Sequence, residues 1–256
     1  MRVAGRGRIL FWEGASLWVM EALPRPGATS NTTDYHSHHA IQVTLSLGGR
    51  FELRTRKNAV QGSAAVAPDE SHVFEAKGLI ALLFIEPESE PGRAICGSLF
   101  QKAKLVSLPD PLVADITRRL EKADCSSAID EKVLEELGRA LVTRLAGLSP
   151  AKQPEPRVQK MIRFAASHLD DSITLAAAAQ SAGLSPGRAR HLFVEQTGLP
   201  FRTYLLWLKI MRAVGLFSNG KSLTVAAHEA GFADSAHFSR TFRRMFGIPA
   251  AALQIL

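Results

Sequence analysis

The sequence is poor in cysteine, with only Cys96 and Cys125 in 256 residues and no metal-ligand spacing between them. That argues against a secreted, disulfide-stapled scaffold and suits a reducing cytoplasm. No apolar run approaches the roughly 20 residues a membrane-spanning helix needs. The basic opening MRVAGRGRILFWEGASLWVM is broken by Glu13 and lacks the layout of a signal peptide. A membrane is therefore not expected as a partner. Tracts of biased composition are missing too: 46% of residues are hydrophobic and 21% charged, the balance of a globular chain long enough for two modest cores.

Net charge is absent from the first 150 residues, where 18 Lys and Arg face 18 Asp and Glu. The whole excess of +7 lies in residues 151–256, with 13 basic and 6 acidic side chains. A polarised charge of this kind favours a polyanion in the C-terminal part. Ribosomal or membrane-surface partners would fit the number equally well, so the pattern of residues has to decide.

GLSPAKQPEPR, with three prolines and little apolar content, reads as a linker, placed at 149–157. Before it, Pro111–Lys122 and Asp130–Leu148 read as amphipathic helices. The second carries Leu134, Leu137, Leu141, Leu145 and Leu148 at steps of three and four. Such a stripe packs either on its own domain or against a second copy as a dimer seam. Between residues 8 and 86, IQVTLSL, RFELRTR, GSAAVAP and LIALLFIE alternate with GG, KN and PDES, which predicts a β-sandwich or barrel.

Beyond the linker the pattern is helical and repeated. AQSAGLSPGRARHLFVEQTGLP, from Ala179, matches AHEAGFADSAHFSRTFRRMFGIP, from Ala227. Each unit has Ala four residues before Gly (Ala179/Gly183, Ala227/Gly231), then Phe193 or Phe242, Gly198 or Gly247, and Pro200 or Pro249. A small residue lets two helices approach, a glycine ends the first in the left-handed conformation, and Ser185 or Asp234 caps the second. This is a helix-turn-helix, present twice. On the second helix of each unit, Ala189, Leu192, Phe193 and Gln196, and Phe238, Thr241, Phe242 and Met245, share one side. Gly187, Arg190, His191 and Val194 face away in the first, with Arg188 on the flank; Ala236, Ser239, Arg240 and Arg243 face away in the second. Short and basic residues can enter a major groove and meet base edges or phosphates. Phe201–Phe217, about 25 Å long as a helix, would hold two such helices for successive grooves about 34 Å apart.

Residues Ile173–Leu253 resemble the C-terminal domain of AraC/XylS-type bacterial transcription regulators, most specifically through VAAHEAGFADSAHFSRTFRRMFG. The resemblance implies double-stranded DNA as partner, with Gly187, Arg190 and His191 in reading positions of the first unit and Ala236, Ser239 and Arg240 in those of the second. Arg188, Arg243 and Arg244 are expected on phosphates. His191 departs from the family's usual Arg, and AAALQIL replaces its closing Pro-x-x-Tyr-Arg element, so the final cap is expected to pack differently. The resemblance also implies a cupin-like N-terminal barrel that binds an effector. The cysteine usage places the chain in the bacterial cytoplasm, the leucine stripe suggests a homodimer, and RNA polymerase is a further partner for a transcription regulator.

HSHHAIQ and GSAAVAPDESHVFEA are similar to that barrel's ligand-binding strands. His36, His38 and His72 fall where cupin enzymes hold a metal, and Gln42 falls where they place a glutamate. The three histidines and Gln42 are thus candidates to contact an organic effector. His36, His38 and His72 are alternatively ligands of a zinc-like divalent metal, or simply structural. His39, on the opposite face of the strand, is expected at the surface.

The expected architecture is a two-domain chain. Residues 1–148 form a cupin-like barrel (about 8–105) with a C-flanking helical pair (about 111–148). Residues 158–256 form an all-α DNA-binding domain of two helix-turn-helix units and a connecting helix. No evident nucleophile or paired carboxylate marks an enzyme. The rival reading is a metal-dependent cupin enzyme with an appended nucleic-acid-binding domain; a third is a repair or RNA-binding adaptor.

Overall fold

The computed structural model of the chain describes residues 3–24, 26–124, 130–147, 151, 153–169 and 173–256. Two compact units emerge, one of Met1–Ala151 together with Phe242–Leu256, the other of Lys152–Thr241.

The first unit holds β1 (Gly5–Trp12), β2 (Ala15–Ala22), β3 (Asn31–Thr32), β4 (Ile41–Ser46), β5 (Arg50–Thr55), β6 (Ala59–Gln61), β7 (Ala64–Val66), β8 (His72–Ile85) and β9 (Leu105–Ser107). Helices α1 (Glu90–Leu99), α2 (Asp110–Asp124) and α3 (Glu131–Ala146) accompany them, and β10 (Leu253–Ile255) comes from the far end of the chain. The strand order is β10-β1-β2-β8-β4-β7-β9, with β3 and β5 also on β8 and β6 on β5. Long β8 changes partners at Gly78, which sits at φ 78°: His72–Lys77 pairs with β5, Gly78–Ile85 with β2. Among the described residues the path is open, ending in the three-residue strands β9 and β10. The sheet is not closed, and the fold is a sheet-rich unit with the expected flanking helical pair; the cupin-like barrel expected over 8–105 is neither established nor overturned by this open path.

Alternation along β2, β4 and β8 gives each strand two buried faces. Odd-numbered Leu17, Val19, Ile41, Val43, Leu45, Leu83 and Ile85 pack in one core with Ile95 of α1, Ile116 and Leu120 of α2, and the stripe of α3. In that stripe Leu134, Leu137, Leu141 and Leu145 are at most 2% exposed within their own chain, and Leu148 lies outside the described residues. These four leucines are therefore not available as a dimer seam, and the dimerisation role expected of them is corrected. The even-numbered set, with Trp18, Met20, Gln42, Ile80 and Phe84, is buried on the opposite face. Part of that burial comes from residues 242–256: β10 adds to β1 in parallel, and Phe246, in the last turn of α9, stacks on Trp18 at 5.3 Å. The expected second domain, 158–256, thus gives up residues 242–256 to the first unit.

The second unit carries α4 (Pro156–Ser167), α5 (Leu175–Ser181), α6 (Pro186–Thr197), α7 (Phe201–Ser218), α8 (Leu223–Glu229) and the start of α9 (Ser235–Phe246). Helix α4 begins inside the expected linker, of which residues 149, 150 and 152 lie outside the described residues. Ala178, Ala179, Ala226 and Ala227 are fully buried, as close helix crossing requires, and Gly183 and Gly231 take φ of 66° and 79°. Helix α7 inserts Tyr204, Trp207, Ile210 and Ala213, each at most 2% exposed, as the spine of this unit. Among the described residues no helix is long and apolar enough to cross a membrane.

Candidate functional site

Two features stand out, the outward faces of the repeated helices and the even-numbered face of the sheet. Helix α6 starts at Ser185, whose hydroxyl accepts from the Arg188 amide at 3.3 Å, with Pro186 in the first turn. Helix α9 starts at Asp234, whose carboxylate accepts from the His237 amide at 2.6 Å. These caps fix which side turns inward. Ala189, Leu192 and Phe193 are buried in α6, and Phe238, Thr241, Phe242 and Met245 in α9, while Gln196 is exposed. Gly187, Arg188, Arg190, His191, Ala236, Ser239, Arg240, Arg243 and Arg244 are all exposed.

Among the described residues no ion pair holds Arg188, Arg190, Arg240 or Arg244. Four guanidinium groups are thus ready for an anionic partner, each able to present two parallel donors to guanine or phosphate. Arg243 differs. Its Nε and a terminal nitrogen donate to the Asp34 carboxylate at 2.9 and 2.7 Å. A phosphate would have to displace that carboxylate, so the role expected of Arg243 is compromised in this conformation.

The even face of the sheet borders a cavity of about 80 Å³. Trp18, Met20, Ile80, Phe84 and Phe246 make it apolar, and His36 and Gln42 are the candidate effector residues that reach it. No Lys, Arg, Asp or Glu is among its described lining residues. His38 and His72 do not line it but stand beside His36, with ring centroids 5.9 and 4.2 Å from the His36 ring. One ring nitrogen from each of His36, His38 and His72 lies within 4.8 Å of the others. The structure therefore brings together all three histidines named from the sequence, with Gln42 3.0 Å from His38 Nε2.

Burial, and then the neighbouring His72, push His36 down to about 3. Burial chiefly, with His72 and His36 next, holds His38 well below the ordinary imidazole value, and burial lowers His72 as well. All three rings are neutral at physiological pH. His39, expected at the surface, is 2% exposed, which corrects that reading. Burial opposes its charge, but its ring nitrogens donate to Asp69 at 3.1 Å and to Glu88, and the two carboxylates raise it to about 9. Alternation correctly sent His39 to the other face; that face holds a buried ion pair.

The cavity's C-terminal wall, Phe246 and Ile248 with Leu253, was not named from the sequence.

Comparison with known proteins places these features. The family described as a helix-turn-helix domain matches residues 178–254, which span both units' second helices. The HTH-type transcriptional activator RhaS of Escherichia coli is 29% identical over 136 residues, 53% of this chain and 49% of that protein. RhaS of a second Escherichia coli strain is 28% identical over the same shares. The chain thus matches over about half the length of these curated relatives. Among solved structures, ToxT from Vibrio cholerae O395 aligns with a TM-score of 0.59 at 10% identity, covering 93% of this chain and 95% of that one. Unsaturated fatty acid-bound ToxT from Vibrio cholerae aligns with a TM-score of 0.55, again at 10% identity, over 93% and 95%. At that identity the likeness is one of fold: a sheet-rich N-terminal unit and a helical C-terminal one.

Proposed function

Because this chain belongs to the AraC/XylS-type family of regulators, we propose that it is a sequence-specific transcription regulator that binds double-stranded DNA through α6 and α9 and takes a small effector in its sheet-rich unit. The observation that carries the reading is the pair of repeated helices, each capped alike, each turning Arg190 or Arg240 outward with no carboxylate among the described residues holding it. Bidentate contact to guanine from either arginine is worth about 1–3 kcal/mol of discrimination. Arg188 and Arg244 serve phosphates, which add affinity without sequence.

The effector that suits the cavity is small, uncharged and largely apolar, with one polar group for His36 or Gln42. An anionic head would meet no cation there. Fatty acid-bound ToxT shares the fold, but a carboxylate is a poor fit to this lining. Work in the bacterial cytoplasm follows from DNA as the target. RNA polymerase is the partner an activating role requires, and a homodimer would need a face other than the α3 stripe.

Selection from a random duplex library tests the proposal. Enrichment of a bipartite motif by the wild type, degraded at one half by Arg190→Ala and at the other by Arg240→Ala, is the expected result. Failure to enrich any motif, or tighter binding of RNA in competition, would sink it.

A further inference from the structure

The geometry points to a second ligand site in the sheet-rich unit, where Arg50 and Lys77 together receive the phosphate of a small phosphate monoester. The site lies on the solvent side of β5 and β8. Alternation buries Phe51 and Leu53 of β5, with Phe74 and Ala76 of β8, and turns Arg50, Glu52, Arg54, Glu75 and Lys77 the other way. The register sets Arg50 directly opposite Lys77, and Glu52 directly opposite Glu75. Like charges so placed, with Cβ atoms about 5 Å apart, repel and cost stability. The sheet carries that arrangement twice in succession, once with each sign.

The two pairs are compensated differently. Arg54 reaches one oxygen of Glu52 at 3.2 Å and one of Glu75 at 3.5 Å. The Gln61 amide donates to the other Glu52 oxygen at 2.8 Å, and the Ser30 hydroxyl donates to the other Glu75 oxygen. Each of the four carboxylate oxygens therefore faces a donor from the chain itself. The basic pair has no such relief. Among the described residues neither Arg50 nor Lys77 takes part in an ion pair, and both are exposed. Their diagonal neighbours Glu52 and Glu75 are turned to Arg54 instead. Two cations held face to face without a counter-ion raise the local potential for an anion from outside.

The backbone keeps the two cations together. Arg50 and Lys77 close the β5–β8 ladder where β8 bends at Gly78. Just beyond them the Gly49 amide donates to the Leu79 carbonyl at 3.0 Å, and a Cβ on Gly78 would come within 3.1 Å of the Gly49 Cα. In front of the pair lies a groove of about 420 Å³, bordered by Thr29 and Ser30. Its volume falls within the range of about 300–1,000 Å³ typical of small-molecule sites. A phosphate monoester carries about −1.5 to −2 charge near neutral pH and so matches two cations, where a carboxylate matches one. Arg50 can present two parallel donors to its oxygens, and Lys77 a point charge. The remainder of the ligand meets hydroxyl, amide and carboxylate groups, so it is hydroxylated rather than apolar.

Glycerol 1-phosphate is the probe, titrated into the full-length protein at fixed ionic strength and followed by calorimetry. One bound molecule per chain is expected. Glycerate, with a single charge, should bind about tenfold more weakly. Arg50→Gln and Lys77→Gln should each weaken glycerol 1-phosphate by about tenfold, the loss of one charge-assisted contact. Lys77→Glu gives Arg50 a cross-strand partner of opposite sign. It should abolish binding and raise the melting temperature of the unliganded protein, a gain that a merely structural lysine would not give. Lys102→Gln, at an exposed lysine elsewhere in the unit, should change neither. A saturating DNA duplex should leave the probe bound. No saturable binding by the wild type, equal affinity for glycerate, binding that survives Lys77→Glu, or displacement of the probe by duplex would overturn the site. The inference does not rest on the DNA reading: a protein that binds duplex but not glycerol 1-phosphate refutes this site alone.

Discussion

The two helix-turn-helix units share a plan and differ in what becomes of the second helix. Helix α6 ends within its own unit at Gly198, at φ 77°. Helix α9 ends at Gly247, at φ 69°, and its last turn is counted with the sheet-rich unit. There Phe246 stacks on Trp18, and Asp34 and Gly247 exchange a backbone bond, Asp34 N to Gly247 O at 2.9 Å. Asp34 also holds Arg243. Helix α6 thus lies wholly in the helical unit, whereas the last turn of α9 belongs to the part of the chain that carries the cavity and the three histidines. A change in that unit reaches α9 within the helix itself, between Thr241 and Phe242. Whatever the sheet-rich unit binds, the second half of the DNA site should feel it first.

The largest test of this asymmetry lies at the helix ends. A Cβ on Gly247 would come within 2.6 Å of the Asp34 carbonyl oxygen and of His36 Nδ1, whereas one on Gly183 would meet nothing within 4 Å. Both glycines have positive φ, so alanine strains each backbone by about 1–2 kcal/mol. Gly247→Ala adds overpacking of about 1–3 kcal/mol. Thermal unfolding should therefore fall clearly more for Gly247→Ala than for Gly183→Ala, the glycine that ends α5 in open space; equal losses would mean that the end of α9 is not packed as closely as Asp34 and His36 require.

Next in size are the readers themselves. Arg190→Ala and Arg240→Ala should each cost about 1–3 kcal/mol of specific affinity, and each should relax preference at its own half of the site. A fluorescence titration against single-base operator variants measures this. If the asymmetry is functional, occupancy of the sheet-rich unit by a ligand should change the Arg240 half more than the Arg190 half.

The smallest effect concerns Asp34. Its pair with Arg243 is 60% exposed on both sides, so Asp34→Asn should barely move stability. It frees a guanidinium, however. The dependence of DNA affinity on salt should steepen by about one phosphate contact, and Arg243→Ala should then hurt the Asp34→Asn protein more than the wild type. Unchanged salt dependence would mean that Arg243 already reaches the duplex.

The repeat was the most legible part of the molecule because its landmarks are backbone requirements. Gly183 and Gly231 do sit at positive φ, and Ala179 and Ala227 do sit where helices touch. Even the offset extends further than expected, to Thr174 and Ser222, which cap α5 and α8. The strands around IQVTLSL and LIALLFIE were legible from alternation, and so was the gathering of His36, His38 and His72. Legibility failed where a pattern says that a face is buried but not against what. The α3 stripe satisfies a core and a dimer seam equally well, and Leu134 to Leu145 chose the core. Alternation gives the parity of a residue, so His39 was sent to the correct face; it could not foresee Asp69 and Glu88 waiting there. Closure of a sheet depends on which edges meet, which no single strand encodes. Strand β10, only Leu253–Ile255, is too short to announce itself, so the return of the chain end to β1 was invisible.

Hydroxyl-radical footprinting on an operator recovered by selection tests the central claim most directly. The account predicts two protected patches on one face of the duplex, about 10 bp apart, as two reading helices in successive major grooves require. Arg190→Ala should erase one patch and Arg240→Ala the other. A single patch weakened equally by both substitutions, or protection that ignores sequence, would contradict it.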